Sequence, residues 1–176
     1  MALKAYSLAR DGALHLTPHF RVREFACRDG SDPIFVEEEL AALLEAIRLH
    51  FGCPVAITSG FRTAAHNASI PGASPHSQHL YGRAADFRVE GVSVAEAAAY
   101  AETLLPGKGG IGRYPPRKGR ACGWVHLDTR STKALAGTAQ QLVGQGQRQR
   151  GGASHGRGRD LAGLFHRGFS FLLFWW

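Results

Sequence analysis

Apolar and polar positions alternate along the chain with two different periods. Val36, Leu40, Leu43, Leu44, Ile47 and Phe51 recur at three- and four-residue steps, which places them on one face of an α-helix. Asp32 and Pro33 stand where a cap and a first-turn residue belong. Glu37, Glu38 and Glu39 follow near the amino end, where negative charge is favoured, and Gly52 marks the stop. This pattern predicts a helix over residues 33–51. Residues 54–58 form a short apolar run and predict a buried strand. Residues 84–89 predict a second strand, and residues 123–129 a third. Ser93 and Glu96 have the spacing of a capping box, opening a helix that runs to about Leu105 with Ala97, Ala101, Leu104 and Leu105 inward. Residues 59–82, rich in Gly, Ser, Pro, Asn and His, read as a loop, and loops of that length inside a domain tend to carry function. Residues 106–112 read as a turn. Residues 1–30 are mixed, with an irregular segment or short strand at 20–25. There is no internal repeat.

Composition narrows the class. The 176 residues are 44% hydrophobic and 20% charged, the balance of one soluble globular domain rather than of a fibrous, disordered or multi-span chain. No apolar run reaches membrane-spanning length, so no membrane partner is expected. The first ten residues lack the apolar stretch of a secretory signal, which gives the expectation of cytoplasmic synthesis. The net charge of +7 is uneven: residues 1–130 carry a net +2 and residues 131–176 a net +5. Bulk charge on the folded part is therefore no argument for nucleic acid. Cys27, Cys53 and Cys122 are odd in number and widely spaced, which predicts buried free thiols rather than a disulfide frame or a zinc ribbon. Residues 144–159 are low in complexity, and residues 134–176 as a whole read as a basic, disordered tail. The eight apolar residues at its end are too few to span a bilayer.

The chemistry is concentrated in Ser77-Gln78-His79-Leu80-Tyr81-Gly82-Arg83-Ala84-Ala85-Asp86 and, far downstream, Trp124-Val125-His126-Leu127-Asp128. The first string ends a loop on an imidazole and begins a strand with a carboxylate. The second places another imidazole on a strand. Two His and one Asp supply nitrogen and oxygen donors in a number that suits one zinc ion and leaves a position for water, the pattern of a catalytic zinc site.

Together with Ser59-Gly60-Phe61-Arg62, His66-Asn67 and Gly109-Gly110-Ile111-Gly112-x-Tyr114, these strings resemble the zinc D-Ala-D-Ala carboxypeptidases and their peptidoglycan-endopeptidase relatives, which share a fold with the hedgehog signalling domain. The resemblance spans residues 15–133, within a zinc peptidase domain of residues 1–133 on this reading. It implies an α+β fold, with a small antiparallel sheet carrying the zinc site and helices flanking it. It implies His79, Asp86 and His126 as ligands of one Zn2+, and Arg62, in a match to Ser-Gly-Tyr-Arg, facing the substrate. Ser77 and Tyr114 join Arg62 as substrate-binding candidates, with a peptidoglycan peptide as substrate and a monomer as the working unit. Small enzymes of this kind without a signal resemble phage or prophage wall-lysis enzymes that are released to the wall.

Arg62 has a chemical rationale of its own. A guanidinium can grip a carboxylate through two parallel hydrogen bonds or stabilise a developing oxyanion; the alternative is an Arg that caps a turn. Many relatives carry a Glu, Asp or His two or three residues before the last ligand, whereas here those positions are Trp124 and Gly123. Asp128 shares a strand face with His126 and becomes the catalytic candidate for general base. Orienting a ligand His is its alternative role, and His66 or His76 are alternative bases. The missing upstream acid keeps a second class open, a zinc-stabilised domain that binds wall peptides without turnover. Beyond Lys133 the tail departs from the relatives. It is read as a dispensable extension, an arm for anionic surfaces, or the product of a reading-frame change.

Overall fold

The computed structural model describes residues 2–131; the expectation for residues 134–176 lies outside them. Three strands stand where the alternation placed them: β3 (Val55–Ser59), β4 (Ala84–Val89) and β6 (Trp124–Asp128). They belong to one antiparallel sheet in the order β3-β4-β6-β5, whose edge strand β5 covers Gly110–Tyr114. Residues 110–112 of that edge strand were expected to be turn. Its glycines weaken the local signal, and pairing with β6 makes it a strand. A second, two-stranded sheet joins β1 (Leu3–Ser7) to β2 (Pro33–Glu37).

The expected helix over residues 33–51 is corrected by β2. The helix α2 covers Glu38–Phe51 only. Ile34 and Val36 are buried while their neighbours are not, a period of two. Asp32 caps elsewhere: its Oδ1 accepts from Ala9 N at 2.9 Å and from Ser7 Oγ at 3.0 Å. It thereby secures the short helix α1 (Leu8–Asp11) against β2. Residues 20–25 contain a 3-10 turn, Val22–Phe25, which sends Phe20 and Phe25 into the core. The expected loop over 59–82 holds α3 (Ala64–Ser69) and a 3-10 turn, Gln78–Tyr81. The helix α4 (Val94–Thr103) opens on the capping box of Ser93 and Glu96.

The core lies between the four-stranded sheet and α2 and α4. Leu40, Leu44, Ile47, Ala97, Ala101 and Leu105 meet Phe87, Val89, Val125 and Leu127, all buried. At roughly 1.5–3 kcal/mol for each large side chain withdrawn from water, this layer holds the sheet rigid. The opposite sheet face carries Ala84 and Asp86 on β4, and Trp124, His126 and Asp128 on β6. Expected buried thiols are realised at Cys27 alone; Cys53 is half-buried and Cys122 exposed. Among the described residues no helix is long and apolar enough to cross a membrane.

Candidate metal centre

The register of β4 with β6 sets Asp86 directly opposite His126. Cross-strand partners on one face lie within side-chain reach, and His126 Nδ1 is 2.8 Å from Asp86 Oδ1. His79 arrives from the 3-10 turn that precedes β4. Its Nε2 is 3.2 Å from His126 Nδ1 and 3.4 Å from Asp86 Oδ1. Gly82 ends that turn at φ 66°, and a Cβ there would stand 2.5 Å from the Phe35 carbonyl oxygen. Glycine alone satisfies both the left-handed backbone and the close approach. The chain can therefore turn from His79 into β4 within a few residues.

The outer nitrogens show how each ring is held. His79 Nδ1 lies 2.7 Å from the Gly60 carbonyl oxygen. A carbonyl only accepts, so Nδ1 carries the hydrogen and Nε2 presents its lone pair inward. Arg62 N donates to the His79 carbonyl at 3.1 Å and fixes the turn. His126 Nε2 lies 3.2 Å from Asp128 Oδ2, and Asp128 accepts in turn from Arg130 Nε at 2.7 Å and Nη2 at 2.6 Å. Arg62 donates through Nη2 to Asp86 Oδ2 at 2.8 Å and through Nε to Ser59 Oγ at 2.9 Å. This leaves Asp86 Oδ1 for the centre.

These three atoms fit one metal ion. Tetrahedral zinc bonds of about 2.0–2.1 Å put neighbouring ligand atoms about 3.3–3.4 Å apart, against the 2.8–3.4 Å found here. Among the described residues, His79, Asp86 and His126 form the group able to hold a cation. The protonation pattern agrees. Burial pulls His79 below its ordinary pKa, so it is neutral. Burial works against Asp86 ionising, but His126 and His79 outweigh it and hold the carboxyl well below the usual range. Burial opposes charge on His126 too, yet Asp128 and Asp86 push it up to about 9. A cation held by these three atoms would take the place of a proton on Nδ1.

Asp128 is the candidate for general base, with an orienting role as its alternative. It is fully buried and sits on Nε2 of His126, the nitrogen turned away from the convergence point. That contact is the one an orienting role would use, the alternative given above to general base. Arg130, not singled out from the sequence, completes this anchor. The Asp-x-Arg spacing at a strand end was the signal available. His76 is exposed, and neither it nor His66 joins the convergent group. Ser77 precedes the His79 turn, and its backbone accepts from Leu80 N at 3.1 Å. Tyr114 pairs with Trp124 across β5 and β6. Its hydroxyl is pushed up by burial and then by Asp86, so it stays a hydrogen-bond donor.

The profile of Peptidase M15 matches residues 15–128, which include all three convergent side chains. The chain belongs to the Peptidase M15 family. A protein of Haemophilus influenzae named "Probable peptidoglycan L,D-endopeptidase MepK" is 31% identical over 87 residues, covering 47% of this chain and 43% of that protein. The chain thus matches less than half the length of this relative. No solved structure matches it. The family match and the convergence of His79, Asp86 and His126 are consistent with a metal site of two nitrogens and one oxygen.

Proposed function

We propose that this M15 peptidase is a zinc enzyme that hydrolyses peptide bonds in the stem peptides of bacterial peptidoglycan, acting as an endopeptidase. The convergence of His79 Nε2, Asp86 Oδ1 and His126 Nδ1 carries the reading, because two imidazoles and one carboxylate are the donor types zinc takes with a position left open. An ion bound there supplies Lewis-acid activation of water and of the scissile carbonyl. The endopeptidase assignment is supported by the name of the Haemophilus influenzae relative.

The remaining roles belong to this chain's own side chains. Arg62 uses Nε and Nη2 on Ser59 and Asp86, and we assign Nη1 to the substrate's carbonyl or carboxylate oxygen. Asp128, held by Arg130, keeps the hydrogen on His126 Nε2 and so keeps Nδ1 turned inward. Tyr114 donates a hydrogen bond to the bound peptide. Ser77 lies beside the turn that carries His79 and contributes at the edge of the peptide.

A second reading, a metal-stabilised domain that binds wall peptides without cleaving them, is favoured by one observation. Gly123 and Trp124 offer no proton acceptor, and Asp128 is engaged on His126. The deciding experiment is metal analysis of the purified chain, followed by mass spectrometry of wall fragments incubated with the zinc-loaded protein and with His126→Ala. New peptide ends with the first and none with the second support the peptidase. Intact fragments that co-purify with the loaded protein support the binding domain.

A further inference from the structure

Tyr114 turns the hydroxyl end of its ring back along β5 toward the candidate metal centre. The register pairs Gly112 with His126 and Tyr114 with Trp124. Residues two apart on a strand share a face, so Tyr114 stands on the face that carries the centre. A Cβ on Gly112 would meet Tyr114 Cε2 at 2.9 Å, the hydroxyl-bearing Tyr114 Cζ at 3.6 Å and His126 Cβ at 3.1 Å. The phenol therefore occupies the space that a side chain at position 112 would fill, beside His126.

The ring is braced in this pose. It stacks on Trp124 with centroids 4.9 Å apart and planes 13° apart. The Arg120 guanidinium carbon sits 4.2 Å from the centroid of the same Trp124 ring. Trp124 is thus covered by Tyr114 and Arg120 and serves as a wall behind the phenol. Burial raises the Tyr114 pKa, Asp86 raises it further, and Arg62 and Arg120 lower it, these three through charge alone. The hydroxyl therefore lies within electrostatic reach of Asp86 and Arg62. Sheet order adds a second constraint. Asp86 and His126 stand on the two middle strands of β3-β4-β6-β5. Arg62 follows β3 on one flank, and Tyr114 ends β5 on the other. A peptide bond seated at the centre lies between these two donors.

We propose that Tyr114 is a catalytic residue whose hydroxyl donates a hydrogen bond to the scissile carbonyl oxygen as negative charge builds on it. The inference rests on the peptidase reading above and deepens it, from a contact with the bound peptide to stabilisation of the transition state. A donor fixed in place before reaction counts most where charge develops, because nothing has to reorganise. Gly112 gives the ring room, and Trp124 with Arg120 holds it; these three are positioning residues. The phenol keeps its proton throughout.

The test is Tyr114→Phe in the full chain loaded with zinc, a change that removes one oxygen and leaves the ring on Trp124. Two probes are used: the wall peptide that the zinc-loaded chain cuts, and its phosphinate isostere, with a tetrahedral phosphorus in place of the attacked carbon. The expected result is a kcat about 100-fold lower with KM nearly unchanged, the usual loss for one donor to a developing oxyanion. Calorimetry should show phosphinate affinity falling by a similar factor, with zinc content and circular dichroism unchanged. Unchanged phosphinate affinity, or a loss that appears in KM instead of kcat, overturns the assignment. Loss of zinc from Tyr114→Phe overturns it too, since Tyr114 would then act as a support for His126. Absence of cleavage by the wild-type chain refutes the peptidase reading and this inference with it, whereas cleavage that Tyr114→Phe leaves intact refutes this inference alone.

Discussion

At His126 each ring nitrogen meets a carboxylate, Asp86 on Nδ1 and Asp128 on Nε2. A metal ion bound as proposed would therefore compete with a proton for Nδ1. In the metal-free protein the folded pKa, about 9, lies above the ordinary value of 6.5. The stabilisation it brings is complete below pH 6.5 and is lost as the pH rises through 9. Thermal melts of chelator-treated protein should show Tm falling across that window, and melts of zinc-loaded protein should not. Asp128→Asn tests the orienting role. It should weaken zinc about 10–100-fold in a competition titration, the usual loss for a partner behind a ligand, and leave cleavage measurable once zinc saturates the site. No cleavage at saturating zinc would return Asp128 to the role of base.

Each element contributes through its period. On β6 the alternation sends Val125 and Leu127 into the core and Trp124, His126 and Asp128 to the other face. A slip of one residue in register would exchange these sets, so burial of Val125 and Leu127 also aims His126. The β2–α2 boundary shows where pattern reading fell short. Val36 fits both the helical series and a two-residue alternation with Ile34, and only pairing with β1 decides between them. The His79 turn depends on Gly82. Gly82→Ala should cost more than about 1 kcal/mol in urea unfolding, from left-handed strain and the clash with Phe35. It should also lower zinc affinity, because His79 would move from its place.

For the whole molecule, the buried apolar layer of the described part runs from Phe20 to Leu127. A chain ended after Lys133 should accordingly keep its fold and its zinc, measured by circular dichroism and metal analysis. Loss of either would give residues 134–176 a structural role. Zinc should also stabilise the whole: a ligand at about 1,000 times its dissociation constant adds about 4 kcal/mol to the folded state. Chelation should lower Tm and abolish cleavage together, and added zinc should restore both.

Three convergent side chains and several elements were legible in the chain itself. His79, Asp86 and His126 stood out because residue chemistry is local, and β3, β4, β6 and the capped start of α4 because their periods are local. Edge strand β5, the β1–β2 pair and the division of labour around His126 were not. Each depends on which distant segment lies alongside, as when Arg130 and Asp128 close on the outer nitrogen of a ring whose inner nitrogen faces Asp86. A sequence names the groups that can donate, accept or coordinate. Packing alone decides which atom of each group faces which neighbour, because that choice is made by register and burial across the sheet.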